Sequence, residues 1–162
     1  MKKIRIAVIS PISWRTPPKK YGPWEQVASN IAEGLVARGF DVILFATEDS
    51  ITRGKLSAIC PRPVEEDHNL DSEVYKFLHL ANVFEHADKF DIIHNQFDYY
   101  PLIFANLIKT PMVTTINGFH NQQYIDIYKQ YNKKVSYVSI SNANRAKELD
   151  YISTVYNGIN LK

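Results

Sequence analysis

Apolar runs of strand length alternate along this chain with segments of helical period. The runs stand at Ile4–Ile9, Val42–Ala46, Ile92–His94, Val113–Ile116 and Val135–Ile140, with a shorter sixth at Ile152–Val155. Stretches such as IRIAVIS and DVILFA are nearly continuous in apolar residues, where a strand with one wet face would alternate. A sheet covered on both faces demands that pattern. Val27, Ala28, Ile31, Ala32 and Leu35 predict the buried face of a helix over about Trp24–Arg38, stopped by Gly39. A second helix is predicted from about Asp71, with Val74, Phe77, Leu78, Ala81 and Phe84 at helical spacing. Shorter helices are expected over Pro101–Ile108 and Gln122–Tyr131, and another after Ser141, a suitable N-cap. Ser50–Leu70 carries two prolines and an acidic run without period, and reads as an irregular excursion with a short extra strand near Ala58-Ile59. The order predicts an α/β fold, a doubly wound parallel sheet with helices on both faces, in a single domain over residues 1–162.

One connection stands apart. Ser10 to Glu25, SPISWRTPPKKYGPWE, links the first strand to the first helix with about fifteen residues, where two to six are usual. In an open α/β sheet such a loop lies at the carboxyl ends of the strands, where ligands bind. Its prolines stiffen it, Trp14, Tyr21 and Trp24 supply stacking surface, and Arg15, Lys19 and Lys20 make it cationic. Gly22 permits a close backbone approach.

Composition narrows the class. Nineteen basic and seventeen acidic residues leave a net charge of +2, so no global field draws the chain to nucleic acid, and any basic site must be local. The single cysteine, Cys60, cannot form an internal disulfide, which points to a reducing, cytoplasmic compartment. No signal peptide precedes the first strand, and no window approaches the roughly eighteen apolar residues of a membrane span.

The carboxyl edge of the predicted sheet collects Ser10, Thr47-Glu48-Asp49, His94-Asn95-Gln96, Asn117-Gly118-Phe119-His120 and Ser141-Asn142. Amides and imidazoles beside aromatic rings suit sugars, whose hydroxyls need hydrogen bonds and whose C–H faces stack on rings. His94, at the end of a buried strand, reads equally as a core histidine bonded to a carbonyl or as a site residue. His120 sits in a loop and favours a site role. Lys20 is a solvated charge or a contact to a phosphate or acidic acceptor. Trp24 is an anchor or a ligand platform. Glu25 has a plain account in the dipole of the helix it opens.

Other chemistries lack their signals. His68, His79 and His86 are scattered, and no metal set forms around them. GxGxxG after the first strand, GxxxxGK[ST] and GxSxG are all missing.

At these residues a family resemblance enters. PPKKYGPWEQVASNIAEGLVARGFDVILFAT resembles the start of the group 1 retaining glycosyltransferases of the GT-B fold, with their YGGxE-like turn and RGHxVxLFA-like strand entry. The likeness continues through FDIIHNQFDYYPL, TPMVTTINGFH, VSISNANR and VYNGIN, in the family's order. It implies a Rossmann-like domain, the N-terminal, acceptor-side half of a two-domain enzyme that transfers a sugar from a nucleotide-diphosphate sugar with retention. No metal or other cofactor is expected. The partners implied are nucleotide-sugar, an acceptor sugar or glycan, and a C-terminal donor-binding domain or partner chain that this chain lacks. By itself the chain is expected to be inactive.

By the same resemblance the turn Tyr21-Gly22-Pro23-Trp24-Glu25 faces donor diphosphate and acceptor, giving Gly22, Trp24, Glu25 and Lys20 substrate-binding roles beside Gln96, Ser141 and Asn142. Catalytic roles fall to His120, Asn117 and His94. Three positions depart from the family pattern. Pro23 stands for the second glycine of the turn and removes a backbone donor. Gln96 stands where a histidine is common. Asn117 occupies the TxHG histidine position and hydrogen-bonds without titrating, with His120 as a substitute from the same loop. Two alternatives stand beside this reading: a non-catalytic glycan- or partner-binding module derived from the same fold, and half of a GT-B sugar-nucleotide epimerase.

Overall fold

The computed structural model describes residues 3–118 and 121–158. Seven strands form one sheet: β1 (Arg5–Ile9), β2 (Asp41–Thr47), β3 (Lys55–Cys60), β4 (Ile92–Asn95), β5 (Met112–Ile116), β6 (Val135–Ser139) and β7 (Tyr151–Thr154). Their order is β3-β2-β1-β4-β5-β6-β7 and every pairing is parallel. Among the described residues, three α-helices join them: α1 (Pro23–Ala37), α2 (Ser72–Phe84) and α3 (Gln122–Gln130).

Neighbouring residues of β1 feed opposite faces, as the continuous apolar runs require. Ile6 and Val8, with Val42 and Leu44 of β2, pack against Ala32, Ile31 and Leu35 of α1. Ala7 and Ile9 face the larger layer, with Leu80 and Val83 of α2, Leu102, and Tyr128 of α3. The doubly wound parallel sheet is therefore present, with helices on both faces.

Four local expectations change. The excursion after Ser50 holds a full six-residue strand, β3, rather than a short one near Ala58-Ile59. As an edge strand it is only half covered, so its sequence KLSAIC lacks the apolar run that marks the inner strands. The segment Tyr100–Leu107 is helical but of 3-10 type. After Ser141 there is a single 3-10 turn, Asn142–Asn144, instead of a helix. The Asn144 side chain donates to the Gly118 carbonyl at 2.9 Å, and this segment serves the neighbouring loop. Finally, α2 turns the first part of its predicted apolar stripe outward, while Phe84 at its end packs against the core. Val74, Phe77 and Leu78 are exposed, Phe77 by 62%, while His79, Leu80 and Val83 enter the core. Helical spacing detects a stripe; it does not say which of two adjacent stripes meets the sheet.

The chain leaves β1 toward β2 on one side and β4 toward β5 on the other. The crevice between β1 and β4 is thus the topological switch point, the usual ligand site of such a sheet. No helix among the described residues is long and apolar enough to cross a membrane.

Candidate functional site

The loop after β1 is a folded strap, pinned at intervals to the rest of the chain. Ser10 Oγ and Thr16 Oγ1 share a hydrogen bond of 2.7 Å, and the Thr16 N–H donates to Ser50 Oγ at 3.0 Å. The Ile51 N–H donates to the Thr16 carbonyl at 2.8 Å, and the Val64 N–H to the Ile12 carbonyl at 3.1 Å. His79 of α2 lies fully buried beneath it, with Nε2 3.0 Å from the Ser10 carbonyl. Burial pushes the pKa of this imidazole down to about 4, so Nε2 carries the proton and donates.

At its far end the strap closes on α1. Glu25 is 2% exposed, and its Oε1 accepts from the Trp14 N–H at 3.1 Å. Burial raises the Glu25 pKa above the ordinary carboxylate value, against the hydrogen bonds that favour the anion. The helix-dipole account thus omits the main fact: this first-turn carboxylate is a buried clasp. Gly22 makes the clasp possible. Its φ is +142°, and a Cβ there would lie 2.8 Å from Pro18 Cβ and 3.0 Å from Glu25 Oε2. The close approach that needs glycine is that of the chain to itself.

On the other side of the crevice, the ends of β4 and β5 carry a hydrogen-bonded row. Gln96 Nε2 donates to Thr115 Oγ1 at 2.8 Å and lies 2.9 Å from His94 Nε2, while Asn117 Nδ2 donates to Gln96 Oε1 at 3.0 Å. Burial pushes the pKa of His94 down to about 4, and the neutral ring accepts this bond in the tautomer that protonates Nδ1. Asn117 Oδ1 is buried and has no hydrogen-bond partner among the described residues. Three predicted site residues, His94, Gln96 and Asn117, therefore meet in one chain of contacts. Asn95 shapes the turn that follows: its Oδ1 accepts from the Phe97 N–H at 2.7 Å and its Nδ2 donates to the Asp98 carbonyl. Asp98 takes a left-handed conformation, φ +52°, and its carboxylate accepts from the Tyr128 hydroxyl.

Two clefts open at this edge. One, of about 440 Å³, lies between the strap and the turn after β4, with Trp14, Tyr21, Trp24, Phe97, Tyr99 and Tyr100 in its wall. The polar groups lining it include Glu25, Asp98 and Lys76. The second, of about 270 Å³, lies across α1 from the first and is lined by Val27, Asn30, Ile31, His94, Thr115 and Tyr156. Val27 and Ile31 are accordingly only half-buried, although their spacing marked them as core.

The remaining predicted residues separate. Lys20 is exposed and lines, with Lys19, Glu66, Trp14 and Tyr21, a separate cleft of about 330 Å³, and the Lys19 Nζ lies 3.9 Å from Asp49 and 3.8 Å from Glu66. Ser141 Oγ accepts from the Asn144 N–H at 3.2 Å, and Asn142 is exposed; neither lines the two clefts. His120 lies outside the described residues. The tyrosines after β4 escaped residue-level reading. Tyr99 and Tyr100 stand in FDYYPL, inside a recognised motif, but nothing local distinguishes a ring that lines a cleft from one that fills a core. The Tyr99 phenol, pushed up to about 12 chiefly by its hydrogen bond with Tyr100, stays protonated.

Solved structures share this fold. MurG of Acinetobacter baumannii superposes with a TM-score of 0.61 at 10% identity, over 97% of this chain and 46% of that one. Sucrose-phosphate synthase of Thermosynechococcus elongatus gives 0.60 at 14% identity, over 86% and 43%. Anabaena HepE in complex with UDP and glucose gives 0.60 at 15% identity, over 99% and 45%. This chain spans less than half the length of each. At such identities the likeness concerns the fold, here the Rossmann-like half of a GT-B architecture. No curated protein matches the chain in sequence. The family model of Glycosyltransferase Family 4 matches residues 24–162, from the first turn of α1 to the last residue, and the chain belongs to that family.

Proposed function

We propose that this chain is the acceptor-binding, N-terminal half of a group 1 glycosyltransferase that takes a sugar from a nucleotide-diphosphate donor with retention. The observation that carries this reading is the row His94–Gln96–Asn117 at the switch point, beside the strap that ends in Glu25. An uncharged imidazole and two amides, one with a buried oxygen that has no partner among the described residues, suit hydroxyl groups better than phosphates. The Anabaena HepE structure of the same fold was solved with UDP and glucose, which supports a donor of that class. In this reading the donor is held chiefly by a C-terminal domain outside this chain, and no metal is required.

Asn117 and His120 are the proposed contacts to the reacting sugar. Asn117 orients a hydroxyl; any proton transfer falls to His120, since an amide does not titrate. The glutamine and asparagine at two family histidine positions also support a second reading, a glycan-binding module without catalysis.

One experiment separates them. The longest reading frame containing this chain is assayed for transfer with a panel of nucleotide-sugars, alongside His120→Ala and Asn117→Ala. Transfer that collapses in either variant supports the enzyme. A frame that neither transfers nor hydrolyses any donor supports the binding module.

A further inference from the structure

We propose that the cleft between the strap and the turn after β4 is the acceptor subsite, and that it takes the uncharged pyranose ring of a neutral glycan. The proposal rests on the acceptor-side reading given above, and names the acceptor's chemistry. The aromatic content comes first. Trp14, Tyr21 and Trp24 from the strap and Phe97, Tyr99 and Tyr100 from the turn line a cleft of about 440 Å³, within the usual range for small-molecule sites. On the turn side the rings form a wall: Phe97 stacks on Tyr100 with centroids 5.0 Å apart, and Tyr100 on Tyr99 at 4.6 Å. Across from it Trp14 and Tyr21 meet edge to face at 6.1 Å. A cleft lined by these rings matches a ligand with an apolar face and a polar perimeter, which describes a pyranose.

Charge selects among sugars. Among the described residues the charged groups lining the cleft are Glu25, Asp98 and Lys76, the last held by Glu73 at 2.6 Å with Nζ 5.2 Å from the Tyr100 ring centre, while Lys19 and Lys20 line the adjoining cleft behind Trp14 and Tyr21 with Glu66. A uronate, a sugar phosphate or a prenyl phosphate would meet two carboxylates and a lysine already paired. Sugar hydroxyls instead donate to carboxylates and to phenol oxygens. The cleft thus favours neutral acceptors over anionic ones.

The molecule carries its own reporter, because its two tryptophans both line this cleft. Tryptophan emission of the 162-residue chain is titrated with cellobiose, maltose and lactose, and separately with digalacturonate and glucose 6-phosphate. A saturable change with at least one neutral disaccharide, and a weaker response to both anions, is expected. Trp24→Ala should weaken binding about five- to tenfold while Trp24→Phe stays within about threefold of wild type. Tyr21→Ala, at a position 69% exposed, gives a second loss of affinity that unfolding cannot explain. No saturable change with any neutral disaccharide, or tighter binding of an anion, overturns the proposal. The transfer reading fails separately: a longer frame that transfers only to a non-carbohydrate acceptor keeps the enzyme and removes this subsite, whereas glycan binding without transfer does the reverse.

Discussion

The Glu25 carboxylate accepts a hydrogen bond from the Trp14 backbone N–H at 3.1 Å and so ties the middle of the strap to the first turn of α1. With Glu25 buried, the bond is shielded from water and sets the position of a tryptophan in the aromatic cleft. Glu25→Ala leaves the Trp14 N–H without its partner and opens space beneath the strap. We expect a loss of about 1–3 kcal/mol in urea unfolding, with earlier proteolytic cutting between residues 14 and 22. Unchanged stability and unchanged cutting would remove the clasp.

Gly22 is tested by its own methyl. Gly22→Ala must adopt a φ of +142° and place a Cβ 2.8 Å from Pro18 Cβ, so the strap or the helix start has to shift. The expected cost is about 1–3 kcal/mol in the same unfolding measurement. Gly39→Ala, also at positive φ but with no atom within 4 Å, should cost less.

The pH dependence follows from His79. Its folded pKa of about 4 lies below the ordinary 6.5, so the unfolded chain binds more protons between those values. Stability contributed by the neutral buried ring is complete above about pH 6.5 and is lost as pH falls toward 4. From pH 7 to pH 5 the loss is about 2 kcal/mol for this one group. His94 acts in the same direction, and Glu25, with its raised pKa, in the opposite one. The clean observable is therefore the slope of unfolding free energy against pH, compared between wild type and His79→Gln. Parallel slopes would show that His79 does not titrate as described.

The outward stripe of α2 gives a comparison within one helix. Phe77→Ser changes an exposed ring and should move stability by no more than about 0.5 kcal/mol. Leu80→Ala, three residues later, empties a position 2% exposed and should cost about 2–5 kcal/mol. Equal costs, read by urea unfolding of the two variants, would mean that the helix is rotated from the orientation described.

The row at the ends of β4 and β5 depends on its central amide. Gln96→Leu keeps the volume but strips Asn117 Nδ2 of its partner and leaves Thr115 Oγ1 with His94 Nε2 alone, 3.1 Å away, at a cost of about 1–3 kcal/mol. In the longer frame it should also lower transfer, because Asn117 loses its anchor. A variant with full stability and full transfer would show the row to be dispensable.

Much of the fold was legible because burial on both faces leaves a mark in one dimension. IRIAVIS and DVILFA can be inner strands of little else, and the long segment from Ser10 to Glu25 marks the ligand edge by its length alone. β3 was blurred because an edge strand needs no continuous apolar run, and the helix expected after Ser141 ends as one 3-10 turn because the backbone goes extended at Arg145. In the site, His94, Gln96 and Asn117 were legible as edge residues, since strand ends fix where such residues go. That Glu25 is buried was not, since a first-turn glutamate has an adequate account at the surface.

The residues in order thus determined the parallel sheet and the edge at which its long loop lies, because both depend on local period and spacing, and motifs in order carried the resemblance to the family. Only the tertiary structure decided which stripe of α2 faces the core, that Glu25 closes on Trp14, and that rings from residues 14–24 and 97–100 face one cleft. Those outcomes depend on segments up to about eighty residues apart meeting at the β1–β4 crevice. A contact between distant segments has no signature in the neighbours of either.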